Sequence, residues 1–468
     1  MTRARRYLVI AAIGSAITLT TLFGIEVRRR QDLYWYDVAR DYRYSFSDRH
    51  VRTVSVSVSS DGFVVPRTEF TWDTALLRLR VDGSWTSRWF EPSIVVGNGS
   101  NDIDRQFVDR GARGDRYLVL TPDMVTPGGL VTLRGRHLRW ASQTAQLLLF
   151  SNPSPASGRV LVLAPHPDDA EIAAFGLYSR NDSFIVTITP GNYVDGTLAH
   201  LEPEEDAQDT LKAHVRTWDS LFIPSWGGVS PDRTANLGYL GLSLSQLYSE
   251  RHVSPAKRTG SDPRFGRFRR GALDSLVPGR IATPTWESLV DDLAVLVATV
   301  QPAIVVAPHP SLDAANDHRL TTVALLEALD RTGDNVTLFL YTNHHVLSGY
   351  YPFGPADAGV TMPPWFDESL PFSSVYSVRL DTVQQTDKLF ALDAMHDLRP
   401  APHRLFGGPM DRFRLRLGRS IADLVRDPVS DYSYYRRAVR PNELFFVYRP
   451  EDQEALQRAS KEVVNSRP

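Results

Sequence analysis

His166, Asp168 and Asp169 stand within four residues of one another, directly after the apolar run Val160-Leu-Val-Leu-Ala164. Such a run reads as a buried parallel strand, and ligands in open α/β sheets gather at the carboxyl ends of strands. The next residues, Glu171-Ile-Ala-Ala-Phe-Gly-Leu-Tyr178, predict a helix behind an acidic first turn. One imidazole and two carboxylates are thus delivered to a strand-to-helix corner. There a divalent metal and a general base can sit together. A second such corner lies downstream. Ala303-Ile-Val-Val-Ala-Pro-His-Pro310 predicts another strand, and Asp313, Asn316, Asp317, His318 and Arg319 lead into a helical pattern from Leu320 to Leu329. Each cluster also has a plainer reading, because carboxylates near a helix N-terminus are electrostatically favoured whatever their chemistry.

The segment His166-Pro-Asp-Asp-Ala-Glu-Ile172 resembles the first signature of the PIG-L (LmbE-like) family of zinc-dependent N-acetylglucosamine deacetylases. The string Asn316-Asp-His-Arg319 resembles the end of its second signature. Looser matches at Phe184–Gly191, Leu211–Leu221 and Arg440–Tyr448 extend the resemblance over residues 158 to 450. Carried over position by position, it implies that His166, Asp169 and His318 bind zinc. It also makes Asp168 the general base and Asp317 a supporting residue of the catalytic set. Two imidazoles and one carboxylate leave a coordination position open, as hydrolytic zinc requires. Zinc brings the pKa of water to roughly 7, although the same donor set accepts other divalent ions.

The chain departs from the family at Ala315, where relatives often carry a histidine that protonates the leaving amine. His309 is the nearest substitute in sequence and joins Asp168 and Asp317 in the expected catalytic set. Its competing reading is a strand-terminal histidine that bonds the backbone. His344 and His345 are further candidates, and Asp313 is expected either to orient a histidine or to cap a turn. The expected activity is metal-dependent removal of N-acetyl groups from an amino sugar or envelope glycan. The rival is a catalytically degenerate glycan-binding protein, which Ala315 favours and an intact Asp168 disfavours.

The chain has 468 residues, too many for one ordinary core. Its composition, 42% apolar and 23% charged with a net charge of -2, is globular and offers no electrostatic footprint for nucleic acid. Cysteine is absent, which excludes disulfides, thiolate metal sites and cysteine nucleophiles. From Tyr7 to Ile25 no residue is charged, a length just sufficient for a bilayer-spanning helix. Residues 1–30 are therefore expected to form a transmembrane anchor, with the bulk of the chain exported to the periplasmic or extracellular side. A cleaved signal peptide is the alternative.

Residues 31–150 are expected to form a β-sandwich accessory domain, after a Tyr-rich stalk or membrane-proximal helix over residues 28 to 46. Alternating runs such as Val51–Val58 and Ala75–Val81, separated by Gly and Asn turns, support it. Trp85, Trp89, Phe90 and Trp140 could form a sugar platform there, or simply fill a sheet. Beyond the Pro/Ser linker near Asn152–Gly158, strands and helices alternate. The expected fold class is α/β, with a Rossmann-like, mainly parallel sheet and flanking helices over residues 159–450. No Gly-x-Gly-x-x-Gly follows the first strand, so a dinucleotide is disfavoured. Residues 224–285 are expected to wall the cleft, with Trp226, Tyr239 and Tyr248 suited either to sugars or to packing.

Overall fold

The computed structural model describes residues 34–47, 49–99, 101–140, 142–193, 198, 201–251, 264–398 and 434–466, with scattered positions between 7 and 24. Val160–Ala164 (β1) is buried along its whole length, which suits the centre of a sheet covered on both faces. It belongs to an eight-stranded sheet with Ser183–Thr187 (β2), Thr234–Asn236 (β3), Arg270–Gly271 (β4), Ile304–Pro308 (β5), Thr337–Tyr341 (β6), Ser374–Arg379 (β7) and Asn442–Tyr448 (β8). The spatial order is β4-β3-β2-β1-β5-β6-β8-β7. From β3 to β6 neighbours run parallel; β4, β8 and β7 pair antiparallel.

Among the described residues six longer helices accompany this sheet: Asp169–Tyr178 (α1), Glu205–Phe222 (α2), Trp286–Val300 (α3), Asn316–Thr332 (α4), Thr382–Ala394 (α5) and Gln453–Ser466 (α6). The chain leaves β1 toward β2 and β3 on one side and resumes at β5 on the other. The gap between the ends of β1 and β5 is therefore a topological switch point, the usual ligand crevice of open α/β sheets.

This arrangement corrects the expected mainly parallel, Rossmann-like sheet: the sheet is mixed, and two further sheets, in residues 51–150, are antiparallel. Alternation of strand and helix is broken after β6. Residues 342–373 contain no helix, and β8 slots between β6 and β7 from the opposite direction. Apolar patterning reports that a strand is buried but carries no sign of its direction.

Residues 51–150 build two antiparallel sheets. Thr74–Gly83 lies between Thr144–Phe150 and Arg113–Leu120, with Val51–Ser57 beyond, and Leu138–Trp140 also pairs with it. Phe63–Val64, Leu130–Arg136, Ser93–Gly97 and Asp102–Phe107 form the second sheet. Leu77, Leu79 and Val81 pack with Ile94, Val96, Leu133 and Leu147 in the shared core. The opposite face of the first sheet, through Leu76, Tyr117, Val119 and Phe150, packs into the core of the α/β unit. Successive strand residues point to opposite faces, so this sheet is buried on both.

The Tyr-rich stretch is not the expected stalk where it is described. Tyr42 and Tyr44 are buried, Tyr44 packs on Tyr117 and Phe372, and Ser45–Phe46 pairs in parallel with Pro371–Phe372. The expected transmembrane anchor is also corrected. Among the described residues no helix is long and apolar enough to cross a membrane. Nine of the nineteen residues from Tyr7 to Ile25 lie outside the described residues. Membrane anchoring, and the export inferred from it, are not retained.

Phe90 stacks on His137, Trp140 donates to Ser59 O, and Trp85 stands exposed. Tyr239 and Tyr248 are packed, the first donating to Asp292 and the second against Trp286, while Trp226 is exposed.

Candidate metal centre

β1 ends at Ala164, and Pro165-His166-Pro167 turns the chain toward α1. Asp168, the N-cap of α1, holds φ +132° and makes no side-chain cap bond. Backbone in that region is strained for any residue but glycine and persists only where surrounding contacts impose it. The strained turn frees the Asp168 carboxylate, whose Oδ2 lies 3.3 Å from Arg216 Nη2. Arg216 comes from α2, donates to Pro167 O at 2.8 Å, and pairs with Asp397 through its other nitrogen.

Asp169 opens α1, and its Oδ2 accepts the His166 backbone N–H at 2.9 Å. The same oxygen lies 3.3 Å from His166 Nδ1 and 3.2 Å from His318 Nε2, and those two nitrogens are 3.3 Å apart. His318 arrives on the first turn of α4, which starts beyond the end of β5. Thus the switch point brings both predicted corners together.

Each imidazole of this triangle also meets a carboxylate at its far nitrogen. His166 Nε2 lies 3.2 Å from Asp317 Oδ2, and His318 Nδ1 lies 3.2 Å from Asp313 Oδ2. Asn343, two residues beyond β6, donates to Asp169 Oδ1 at 2.8 Å.

These residues fit a divalent ion. Around a tetrahedral zinc with ligand bonds of about 2.0–2.1 Å, donor atoms stand about 3.3 Å apart, which is the size of this triangle. Carboxylates on the outer nitrogens of the histidines are the usual support of such ligands. His166, Asp169 and His318 would hold the ion.

The electrostatics follow from burial and these neighbours. Burial alone would lower both histidines, but Asp169 and Asp317 raise His166, and Asp169 and Asp313 raise His318 well above its usual value. Burial would raise Asp169; His318 and His166 hold it well below the carboxylate range. Asp168 moves the other way. Burial pushes it up to about 7, opposed by Arg216 and assisted by Asp169 and Asp397.

The remaining sequence candidates lie apart from the triangle. His309 is turned into the core, where Nδ1 accepts the N–H groups of Ser311 and Leu312 and Nε2 lies 3.1 Å from Tyr448 Oη. Burial pushes it down to about 3. It is a packed, neutral ring and is not placed to meet a substrate at the triangle. His345 is also buried, with Nδ1 accepting from Leu347 N–H. His344 comes nearer, with its ring 5.1 Å from that of His318, but burial and His318 push it down to about 4. Ala315 caps α4 with no polar side chain to offer.

Arg216, Asn343 and Asp397 were not foreseen as site residues. Asn343 carried a weak signal, its place just past a strand end. Nothing local marks Arg216 or Asp397.

No family model and no curated protein matches the chain. Among solved structures it is similar to GalB, the 4-carboxy-2-hydroxymuconate hydratase from Pseudomonas putida. That match has 13% identity and a TM-score of 0.30, covering 62% of this chain and 95% of that one. A family two carbohydrate esterase from Cellvibrio japonicus matches at 12% identity and a TM-score of 0.17, covering 63% and 90%. One from Clostridium thermocellum, in complex with cellohexaose, matches at 10% identity and a TM-score of 0.17, covering 65% and 83%. Likenesses at this level carry no argument about activity.

Proposed function

We propose that this chain is a metal-dependent hydrolase that removes N-acetyl groups from an amino sugar or glycan. The observation that carries the reading is the triangle of His166, Asp169 and His318 with Asp168 beside it and not part of it. A divalent ion held by those three residues supplies Lewis acidity toward an amide carbonyl and acidifies water. Asp168 takes the proton of the attacking water on its carboxylate. A carboxyl pushed toward the working pH can also return a proton, so the same Asp168 delivers it to the leaving nitrogen.

That double duty answers Ala315. No other imidazole is needed for the leaving group, and the depressed His344 is poorly suited to the task. Arg216 holds the Asp168 carboxylate, and Asp313 and Asp317 hold the two imidazole rings. The intact Asp168 also weighs against a degenerate, purely glycan-binding protein, since a metal held for structure requires no base.

The test is acetate release from a panel of N-acetylated sugars and oligosaccharides by the purified, zinc-supplied chain, with Asp168→Asn alongside. Release that vanishes in the variant is the expected result. No release from any substrate by folded, zinc-loaded protein would sink the hydrolase reading.

A further inference from the structure

Two loops join beside Asp317, the carboxylate behind His166. Asn192 Oδ1 accepts the Gly241 N–H at 2.8 Å, and Asn192 Nδ2 donates to Asp209 at 3.0 Å. A Cβ on Gly241 would stand 2.8 Å from Asn192 O, so the approach requires glycine. The next residue, Leu242, holds φ +61° and donates its N–H to Asp317 Oδ2 at 2.7 Å. That oxygen is the one 3.2 Å from His166 Nε2.

A left-handed backbone is unfavourable for leucine, and burial does not compensate, because Leu242 is 71% exposed. An exposed apolar side chain is thus held in a strained conformation and fastened to a carboxylate of the site. Strain of this kind gathers at ligand-binding positions.

Tyr193 follows Asn192 on the other loop and is 40% exposed. Lys212 Nζ lies 3.5 Å from its ring centroid and 2.8 Å from Asp397 Oδ1. Asp397 also pairs with Arg216, the cation on Asp168. The tyrosine ring is therefore oriented by the same charged chain that holds the base.

We propose that Tyr193 and Leu242 form a sugar-ring subsite beside the metal triangle, in which Tyr193 stacks on the C–H face of a pyranose and Leu242 packs against its flank. A pyranose carries hydroxyls around its rim and C–H groups on its faces, which an exposed aromatic and an exposed aliphatic side chain match. The inference deepens the N-acetyl-sugar hydrolase reading and rests on it for the substrate class.

Calorimetric titration of tri-N-acetylchitotriose into the zinc-loaded Asp168→Asn protein tests it without turnover. Adding Tyr193→Ala should weaken binding about tenfold, Tyr193→Phe should retain it, and Leu242→Gly should weaken it about three- to fivefold. Glycine accepts the Leu242 backbone, so that variant folds, and zinc content verifies loading in each. Unchanged affinity in both Tyr193→Ala and Leu242→Gly, or no binding by the parent protein, would overturn the subsite. Acetate release by the native chain separates the two readings. Release with binding indifferent to Tyr193 and Leu242 sinks the subsite alone. Binding that depends on them, without release, supports the subsite and sinks the hydrolase.

Discussion

Asp313 Oδ2 lies 3.2 Å from His318 Nδ1 and also accepts the backbone N–H groups of Asn343 at 2.9 Å and His344 at 3.2 Å. The carboxylate is thus fixed by the loop after β6 while it fixes an imidazole on α4. Burial would raise Asp313, but His318, His344 and the Ala315 backbone N–H pull it down to about 2. It stays ionised and keeps His318 Nε2 aimed at Asp169.

Removing either member of this pair should register in metal binding. His318→Ala is expected to reduce zinc from about one ion per chain to a trace, since three protein ligands are the working minimum of such sites. Asp313→Asn keeps the shape and should weaken zinc affinity by about 10- to 100-fold. Metal analysis and competition with a chromogenic chelator measure both. Unchanged zinc in His318→Ala would remove that residue from the ligand set.

Asp168→Asn should lower acetate release by about 10²- to 10⁴-fold while zinc is retained. In the native chain the base must be deprotonated, so kcat/KM should fall as pH drops. Burial pushes the carboxyl up to about 7, and a cation bound at Asp169 draws it back down. The acid limb is therefore expected at or below about pH 7. A profile from pH 5 to 9 that is flat on the acid side would contradict this role.

His309 should govern acid stability and leave catalysis alone. Its folded pKa, about 3, is depressed by burial, whereas the unfolded chain takes up a proton below about pH 6.5. The unfolded state then binds more protons between those values, so stability is lost as pH falls through 6.5. At pH 5 the loss from this ring is up to about 2 kcal/mol. Urea midpoints at pH 7.5 and 5 should differ less in His309→Gln than in the native chain, with acetate release preserved. A dead but folded, zinc-loaded His309→Gln would make the ring catalytic after all.

A buried ion pair holds α1 in place. The helix is interrupted at Ala174, at φ −137°, and Glu443 accepts the N–H groups of Gly176 and Leu177 at 2.8 and 3.0 Å. Lys388 from α5 pairs with Glu443 at 2.8 Å and donates to Ile172 O at 2.9 Å. Lys388→Met leaves a buried carboxylate without its cation and should destabilise by about 3–5 kcal/mol. Chemical denaturation measures it. A change below about 1 kcal/mol would mean the pair is easily replaced.

Much of the site was legible because it is local. His166, Asp168 and Asp169 lie on one turn after one strand, and Asp317 with His318 on one helix start, so residue type and spacing expose both groups. The switch point between β1 and β5 brings the two corners together, as open α/β sheets usually do. Partners that reach the site from α2, from the loop after β6 and from beyond α5 leave no local pattern. Arg216 and Asp397 lie 181 residues apart in sequence, and only folding makes them a pair. His309 misled for the converse reason. A histidine after an apolar strand looks alike in sequence whether it faces a crevice or a core, and here it packs on Phe372, Phe446 and Tyr448.

Local pattern in the chain was enough for β1, β5, α1 and α4 and for the residue types gathered at the two corners, because periodicity and residue type are properties of neighbours along the backbone. The direction of β8, the burial of both faces of the first antiparallel sheet, and the strain at Asp168 and Leu242 arose only in three dimensions. Each depends on what lies across a sheet or a crevice, and that is set by packing between segments far apart in sequence.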